Sequence, residues 1–242
     1  MPNPDLTRPQ PWAEPTNNQR MFERVARRYD RLNTLMSLGR HHAWRRELVA
    51  RVAPGPIDLA LDVGCGTGDL ALALGGRARE VIAADLTPAM LAGADAKFAT
   101  HERGPWMRPI LADALRLPFP DATFDVVVNG FVLRNLFDLA AAFREWHRVL
   151  KPAGRVGTVE MTHAPGRARS TLQHTQLRYV APLLARAAGA HPDDYRYIAR
   201  SLERFPAAAE LADLLSAAGF ESATYHYLML GSVAIHVATK SA

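Results

Sequence analysis

The stretch Asp62-Val63-Gly64-Cys65-Gly66-Thr67-Gly68-Asp69 places three glycines at alternate positions between two carboxylates. The glycines let backbone approach a ligand closely and admit positive φ. An apolar run, Ile57 to Leu61, leads in, and a small-residue helical pattern, Leu70 to Leu74, leads out. The loop therefore sits where a strand hands over to a helix. Backbone N–H groups at such a helix start favour an anion or a carboxylate. A pyrophosphate needs Gly-x-Gly-x-x-Gly spacing. Gly-x-Gly-x-Gly with flanking acids repels a pyrophosphate and suits a ligand that carries positive charge. Asp85 ends the next apolar run, Val81 to Ala84. An acid about 20 residues past such a loop holds ribose hydroxyls. Asp113-Ala114 falls after the third predicted strand, where a side-chain acceptor meets the exocyclic amine of an adenine.

Residues so spaced converge only on a doubly wound sheet. The pattern predicts a strand over Ile57–Val63 and a helix at about 69–76. A strand Val81–Ala84 and a helix at about 88–99 follow, with Thr87 as N-cap before Pro88. Next come a short strand near Arg108–Leu111, a proline-rich loop over 113–121, a strand Phe124–Asn129 and a helix Leu139–Leu150. A turn at Lys151–Gly154 feeds a strand Arg155–Glu160. This alternation implies an α/β Rossmann-like fold, a doubly wound sheet of seven strands with helices on both faces. Helical patterns from Asn18, over Leu32–Leu38 and over Arg40–Val52 form an N-terminal cap. Residues 1–16, with Pro2, Pro4, Pro9, Pro11 and Pro15, read as an irregular leader. Residues 167–203 read as two inserted helices with no strand between. A last helix at about 207–218 ends at Gly219. The runs Ser222–Leu230 and Ser232–Thr239 around Gly231 predict a closing hairpin with an antiparallel last strand. The expected organisation is a leader at 1–16 and one domain at 17–242, with a cap at 17–55 and an insertion at 167–205.

At 242 residues and 48% hydrophobic composition the chain has ample core for one such domain. No run approaches 18 apolar residues, so no transmembrane helix is expected. The first residues lack a basic start and an apolar segment, which argues for a cytoplasmic protein. Cys65, the one cysteine, excludes an internal disulfide and a cysteine-cluster zinc site. No histidine spacing carries carboxylate support, so no metal is expected. The net charge of +5 fits a solvated basic surface, an anionic membrane face, an acidic substrate or nucleic acid. No arginine run is interleaved with aromatics, which weighs against nucleic acid. S-adenosylmethionine fits the acid-flanked loop, with its ammonium, sulfonium and ribose diol. Asp62 and Asp69 would then organise its amino-acid end.

Asp62–Asp69, Asp85 and Asp113 resemble the cofactor site of class I S-adenosylmethionine-dependent methyltransferases. A narrower resemblance spans Met21 to Lys240. Phe22–Asp30, Asn33, Leu35–Gly39, His42 and Trp44 resemble the N-terminal signature of the menaquinone/ubiquinone biosynthesis C-methyltransferases. So do Leu133-Arg134-Asn135 with Asp138, Arg148–Pro152, Asp194–Ile198 with Ser201 and Phe205-Pro206, and Ala218-Gly219-Phe220. The resemblance implies a cofactor set of Asp62, Gly64, Gly66, Thr67, Gly68, Asp85, Leu86, Asp113, Ala114, Asn129 and Gly130. It implies a catalytic group of Arg134, Asn135 and Tyr29. Departures cluster near the expected pocket. Val132 stands where glycine is common, Gly130 where a cofactor-contacting serine is often found, and Phe137 replaces a small polar residue. Met161–Pro165 is a variant segment.

The implied reaction is C-methylation of a prenylated quinol ring, with demethylmenaquinol as the favoured acceptor. Such a ring carbon becomes nucleophilic when a neighbouring hydroxyl is deprotonated, so the site needs a positive group and a base. Arg134 cannot serve as the base itself; it stabilises the phenolate or polarises a water. Its bland alternative is a surface salt bridge to Asp138, and that of Tyr29 is core packing. Glu160 and His163 are reserve bases. Met21, Phe22, Leu35, Met36, Tyr179, Tyr195 and Tyr197 are candidates to wall an apolar pocket. Arg20, Arg24, Arg27, Arg28 and Arg31 offer peripheral contact with anionic lipid. A homodimer is admitted. The rival functions are O- or N-methylation of another small molecule, a nucleic-acid role, and a non-catalytic subunit of a quinone-synthesis complex.

Overall fold

A computed structural model of the chain describes residues 20, 22–24, 26–180 and 201–242. Its centre is a seven-stranded sheet ordered β3-β2-β1-β4-β5-β7-β6. The strands are β1 Ile57–Val63, β2 Ala78–Asp85, β3 Met107–Leu111, β4 Phe124–Gly130, β5 Leu150–Met161, β6 Phe220–Leu228 and β7 Val233–Lys240. The first five pair in parallel, and β7 runs antiparallel to both β5 and β6. The expected closing hairpin and antiparallel last strand are therefore present. The helices are α1 Tyr29–Ser37, α2 His41–Val52, α3 Asp69–Leu74, α4 Pro88–Ala99, α5 Leu139–Val149, α6 Arg167–Thr175 and α7 Ala208–Ala217.

Both faces of the sheet are covered, so successive residues of a central strand enter different cores. On one face Leu61, Val63 and Val127 pack with Phe143, Trp146 and Val149 of α5 and Leu211 and Leu215 of α7. On the other Ala60, Val126 and Val128 pack with Trp44, Leu48 and Val52 of α2 and with Leu70 and Leu74 of α3. The strand period of two sends Asp62 to this second face, beneath α2 and α3. The chain builds β1, β2 and β3 outward in one direction, then returns to lay β4 and β5 on the other side of β1. That reversal opens a crevice at the carboxyl ends of β1 and β4, the place where open α/β sheets bind ligands.

Several boundaries differ from the sequence pattern for local reasons. The second cap helix begins at Tyr29, and Leu38 closes it with a left-handed φ of 52°. β5 is longer than Arg155–Glu160. Leu150 already pairs with Phe124, residues 151–154 bulge out with Ala153 at φ 60°, and pairing resumes between Arg155 and Val126. Thr87 stands at the N-cap of α4 but its side chain makes no capping hydrogen bond. Its backbone N–H donates instead to Asp85 Oδ1 at 2.8 Å. Of the two helices expected over 167–203, α6 and a π-helical turn, Gln176–Val180, are described; 181–200 lies outside the described residues.

Asp138 does not salt-bridge Arg134. Its Oδ1 accepts the Ala141 N–H at 2.8 Å and caps α5. Asp138→Ala is expected to lower stability by about 1 kcal/mol, measured by urea unfolding.

Candidate active site

The crevice is lined by Gly64 and Gly66 after β1, by Asp85, Leu86, Thr87 and Met90, and by Ala112, Asp113 and Ala114 after β3. Phe131, Val132, Asn135 and Leu136 after β4 form its opposite wall, and Phe22 and Tyr29 of the cap reach across. With its open mouth it holds about 690 Å³. A wider depression at the other end of the sheet, around Arg77, Arg79 and Arg103, lies at the amino ends of the strands and away from these groups.

The glycine loop is tied down from within. The N–H groups of Gly64 and Cys65 both donate to Ala84 O, at 2.7 and 2.9 Å, and Gly68 N–H donates to Cys65 O at 2.9 Å. Gly66 N–H donates to Asp85 Oδ2 at 2.8 Å. The expected display of these amides to an anion is therefore absent, because the loop spends them on β2 and on itself. What faces the crevice is carboxylate. The two oxygens of Asp85 are each held by one backbone N–H, from Gly66 and Thr87, and retain lone pairs for a diol. Burial raises Asp85 above the usual carboxylate range, and the Gly66 and Thr87 amides pull it back in part. Asp113 is braced similarly: Oδ1 accepts Leu115 N–H at 2.9 Å. Beside it, Ala114 O accepts the Trp146 indole N–H at 3.0 Å.

Asp62 is fully buried, and neither carboxylate oxygen has a hydrogen-bond partner among the described residues. Burial pushes it up to about 7; Arg45 and the Ala71 amide pull down, the amide without closing a hydrogen bond, while Asp85 and Asp69 add to the rise. An orphaned acid beneath a glycine loop fits a cationic ligand and penalises an anionic one. Asp69 is committed elsewhere. Lys97 Nζ lies 2.5 Å from Oδ1 and Arg45 Nη1 3.6 Å from Oδ2. Burial raises Asp69, but Lys97 and Arg45 more than offset it and hold it below its ordinary value. Thr67 is also committed: its hydroxyl donates to Asp30 Oδ1 at 2.5 Å and accepts from Lys97 at 3.3 Å. Asp30, Thr67, Lys97 and Asp69 thus clamp α1 to the loop and to α4. Sequence spacing does not reveal this clamp, since its members come from four separate elements. His41 and His42 approach Asp69, yet Lys97 and Arg45 already crowd that carboxylate with cations. Neutral His41 accepts from Arg45, and burial, with Arg45, lowers His41 to about 4.

Gly68, Asn129 and Gly130, like Asp62 and Thr67, are not among the lining residues. Asn129 Nδ2 donates to Val63 O at 2.6 Å and links the ends of β4 and β1. Tyr29 lines the crevice with its hydroxyl near Asn33, and burial raises it above its ordinary value. It remains protonated at neutral pH. Arg134 lies in a 3₁₀ turn, Leu133–Asn135, directly after the crevice wall. It is buried, with Nε donating to Glu160 Oε1 at 2.8 Å and Nη1 to Ser201 Oγ at 3.0 Å. Asn135, from the same turn, lines the crevice. His163 is occupied by Phe205 O at 2.9 Å. Phe22 walls the crevice as expected, whereas Tyr179 is 65% exposed and does not. Leu35 and Met36 are not among the lining residues. Met21, Tyr195 and Tyr197 lie outside the described residues.

The fold is shared with solved enzymes. A Thermotoga maritima S-adenosylmethionine-dependent methyltransferase superposes with a TM-score of 0.66 at 19% identity, over 92% of this chain and 99% of that one. Sheet order, acid-flanked loop and crevice define a class I S-adenosylmethionine-dependent methyltransferase. The profile of the ubiE/COQ5 methyltransferase family matches residues 13–240. The demethylmenaquinone methyltransferase of Roseiflexus castenholzii is 39% identical over 225 residues, 92% of each chain. That of Thermus thermophilus is 42% identical over 219 residues, 90% of this chain and 98% of its own. The chain belongs to the ubiE/COQ5 methyltransferase family.

The Asp62 carboxylate yields a pH test. Its folded value, about 7, lies above its ordinary value, so the folded protein loses stability as pH rises from about 4 through about 7. The penalty is at most about 4 kcal/mol above that window. Asp62→Asn should raise Tm relative to the parent at pH 8.5, with the gap closing as pH falls to 4, and should weaken S-adenosylmethionine binding by calorimetry. An unchanged Tm at pH 8.5 would contradict the buried-charge account.

Proposed function

We propose that the protein transfers a methyl group from S-adenosylmethionine to a ring carbon of a prenylated quinol, with demethylmenaquinol as the acceptor. The names of the relatives support the acceptor. The observation that carries the reading is the buried Arg134, held by Glu160 and Ser201 at the turn that walls the cofactor crevice. The cofactor residues are then Asp62, Gly64, Gly66, Asp85, Leu86, Asp113 and Ala114, backed by Thr67, Gly68, Asn129 and Gly130. Bound S-adenosylmethionine supplies an electrophilic methyl on sulfur. The chain's own task is alignment of the acceptor carbon and stabilisation of charge on it.

Deprotonating one hydroxyl of the quinol feeds electron density into the ring. Arg134 keeps its proton at any ordinary pH, and its two described bonds use two of its five N–H donors. The remaining donor capacity stabilises the developing phenolate. Asn135 and protonated Tyr29 flank the same space and orient the hydroxyl. Formation of the carbon–carbon bond breaks the methyl–sulfur bond and leaves the donor as a neutral thioether; the ring carbon then loses its proton to solvent and the oxygen regains one, which restores the aromatic quinol. Phe22, Phe131, Val132 and Leu136 give the ring an apolar wall.

The decisive assay combines purified protein, labelled S-adenosylmethionine and reduced demethylmenaquinone, with a benzoquinol analogue in parallel. Arg134→Ala should lower kcat by about a hundredfold or more, and Tyr29→Phe by a smaller factor, with cofactor affinity kept. Undiminished activity in both variants would favour O- or N-methylation of another acceptor.

A lipid acceptor calls for a membrane face, and we infer a peripheral one. Among the described residues no helix is long and apolar enough to cross a membrane. Leu172, Tyr179 and Val180 stand exposed at 47%, 65% and 47%, on a segment with Arg167, Arg169 and Arg178 and no acid from Met161 to Val180. Arg20, Arg24, Arg28 and Arg31 are exposed on the cap. Such basic and apolar faces suit anionic lipid. Sedimentation with phosphatidylglycerol vesicles should carry the protein down, and Leu172→Ser with Tyr179→Ser should reduce that fraction. Equal binding to neutral and anionic vesicles would remove the electrostatic part of this reading.

A further inference from the structure

Glu160 lies inside β5, between β4 and β7, and is 1% exposed. Its Oε1 accepts two bonds, from Arg134 Nε and from the Met161 N–H, each at 2.8 Å. Its Oε2 is buried with no hydrogen-bond partner among the described residues. Such a carboxylate is costly to keep, and a well-packed apolar pair of similar volume is as stable or more so. Fold stability therefore gives no reason for the pair. Arg134 supplies one. Its guanidinium is held on two edges, by Glu160 through Nε and by Ser201 through Nη1. A guanidinium held at two points in one plane presents its remaining N–H groups in a fixed direction.

We propose that Glu160 is a positioning residue for methyl transfer, acting through Arg134. It fixes the plane of the guanidinium and balances its charge inside the protein, so the fork is aimed before the acceptor arrives. Ser201 is the second tether, bringing in the chain beyond the inserted segment. This inference rests on the reading that Arg134 stabilises the quinol oxyanion.

The test uses the full chain as Glu160→Gln, Arg134→Gln, the double variant Arg134→Gln/Glu160→Gln, and Ser201→Ala. Each is measured for kcat and KM with demethylmenaquinol, for S-adenosylmethionine affinity by calorimetry, and for Tm. Glu160→Gln should lower kcat by about a hundredfold, the scale of a misplaced group, while cofactor affinity stays within about twofold. The double variant should be no slower than Arg134→Gln alone, because both changes act on one group. It should also recover Tm lost in Glu160→Gln, since no buried charge is left unpaired. If Glu160→Gln fails to fold, Ser201→Ala and the double variant decide. Ser201→Ala should lower kcat with KM unchanged. Normal kcat in a folded Glu160→Gln, alongside an inactive Arg134→Gln, overturns the positioning role and leaves Arg134 in place. Multiplying losses in the double variant also overturn it. Full activity in Arg134→Gln overturns the underlying reading instead.

Discussion

Nothing larger than hydrogen fits on the Cα of Gly64. A Cβ there would lie 2.6 and 2.7 Å from the two γ-carbons of Val132, closer than any real Cβ contact. This contact joins the loop after β1 to the turn after β4 across the reversal of strand order, and both residues line the crevice. The rest is referred to it. On one side Gly66 meets Asp85. On the other the chain continues through Leu133 to Arg134 and Asn135. Phe131, one residue before Val132, lies against Trp44 of α2 at 6.2 Å and beneath the Arg45 guanidinium at 5.8 Å. Cap, loop and turn are thereby registered to one another by packed contacts, in addition to the Lys97 clamp.

Three acids around this contact, two of them buried and Asp69 partly so, sit in different electrostatic states. Asp62 is uncompensated and its carboxyl is raised to about 7. Asp69 is overcompensated by Lys97 and Arg45. Glu160 is balanced one-to-one by Arg134. The uncompensated acid lies under the loop that, on the proposed reading, receives a positively charged donor. On the proposed reading, the balanced pair is the one that serves a neutral acceptor as it becomes transiently negative. The overcompensated acid belongs to the clamp on the cap. Charge here follows the chemistry of each end of the crevice, and proximity in sequence has no part in it, since Asp62 and Asp69 are neighbours with opposite roles.

The sheet, its closing hairpin and the acid-flanked loop were legible because they rest on local signals: apolar runs, period, glycine spacing and an acid at a strand end. The stretch around Asp85 was readable for the same reason. The partner of Arg134 was not. Asp138, four residues on, is the obvious choice on a helix, but Arg134 lies in a 3₁₀ turn before α5, and Asp138 is consumed as the helix cap. Glu160 and Ser201 reach Arg134 only through sheet pairing and through the return of the chain after the insertion. The clamp of Asp30 on Thr67 and Lys97 was hidden likewise. Tyr179 was misplaced because an aromatic residue type does not report whether the fold turns it inward; it stands 65% exposed.

The loop that spends its amides on Ala84, Cys65 and Asp85 has a thermodynamic consequence. A segment that draws its order from the ligand must freeze on binding, and that entropy is subtracted from affinity. Here the freezing is completed when the sheet forms, because β2 supplies the partners. The cofactor then meets a loop already ordered by its own hydrogen bonds. Successive donor molecules can exchange without the core melting and re-forming around them.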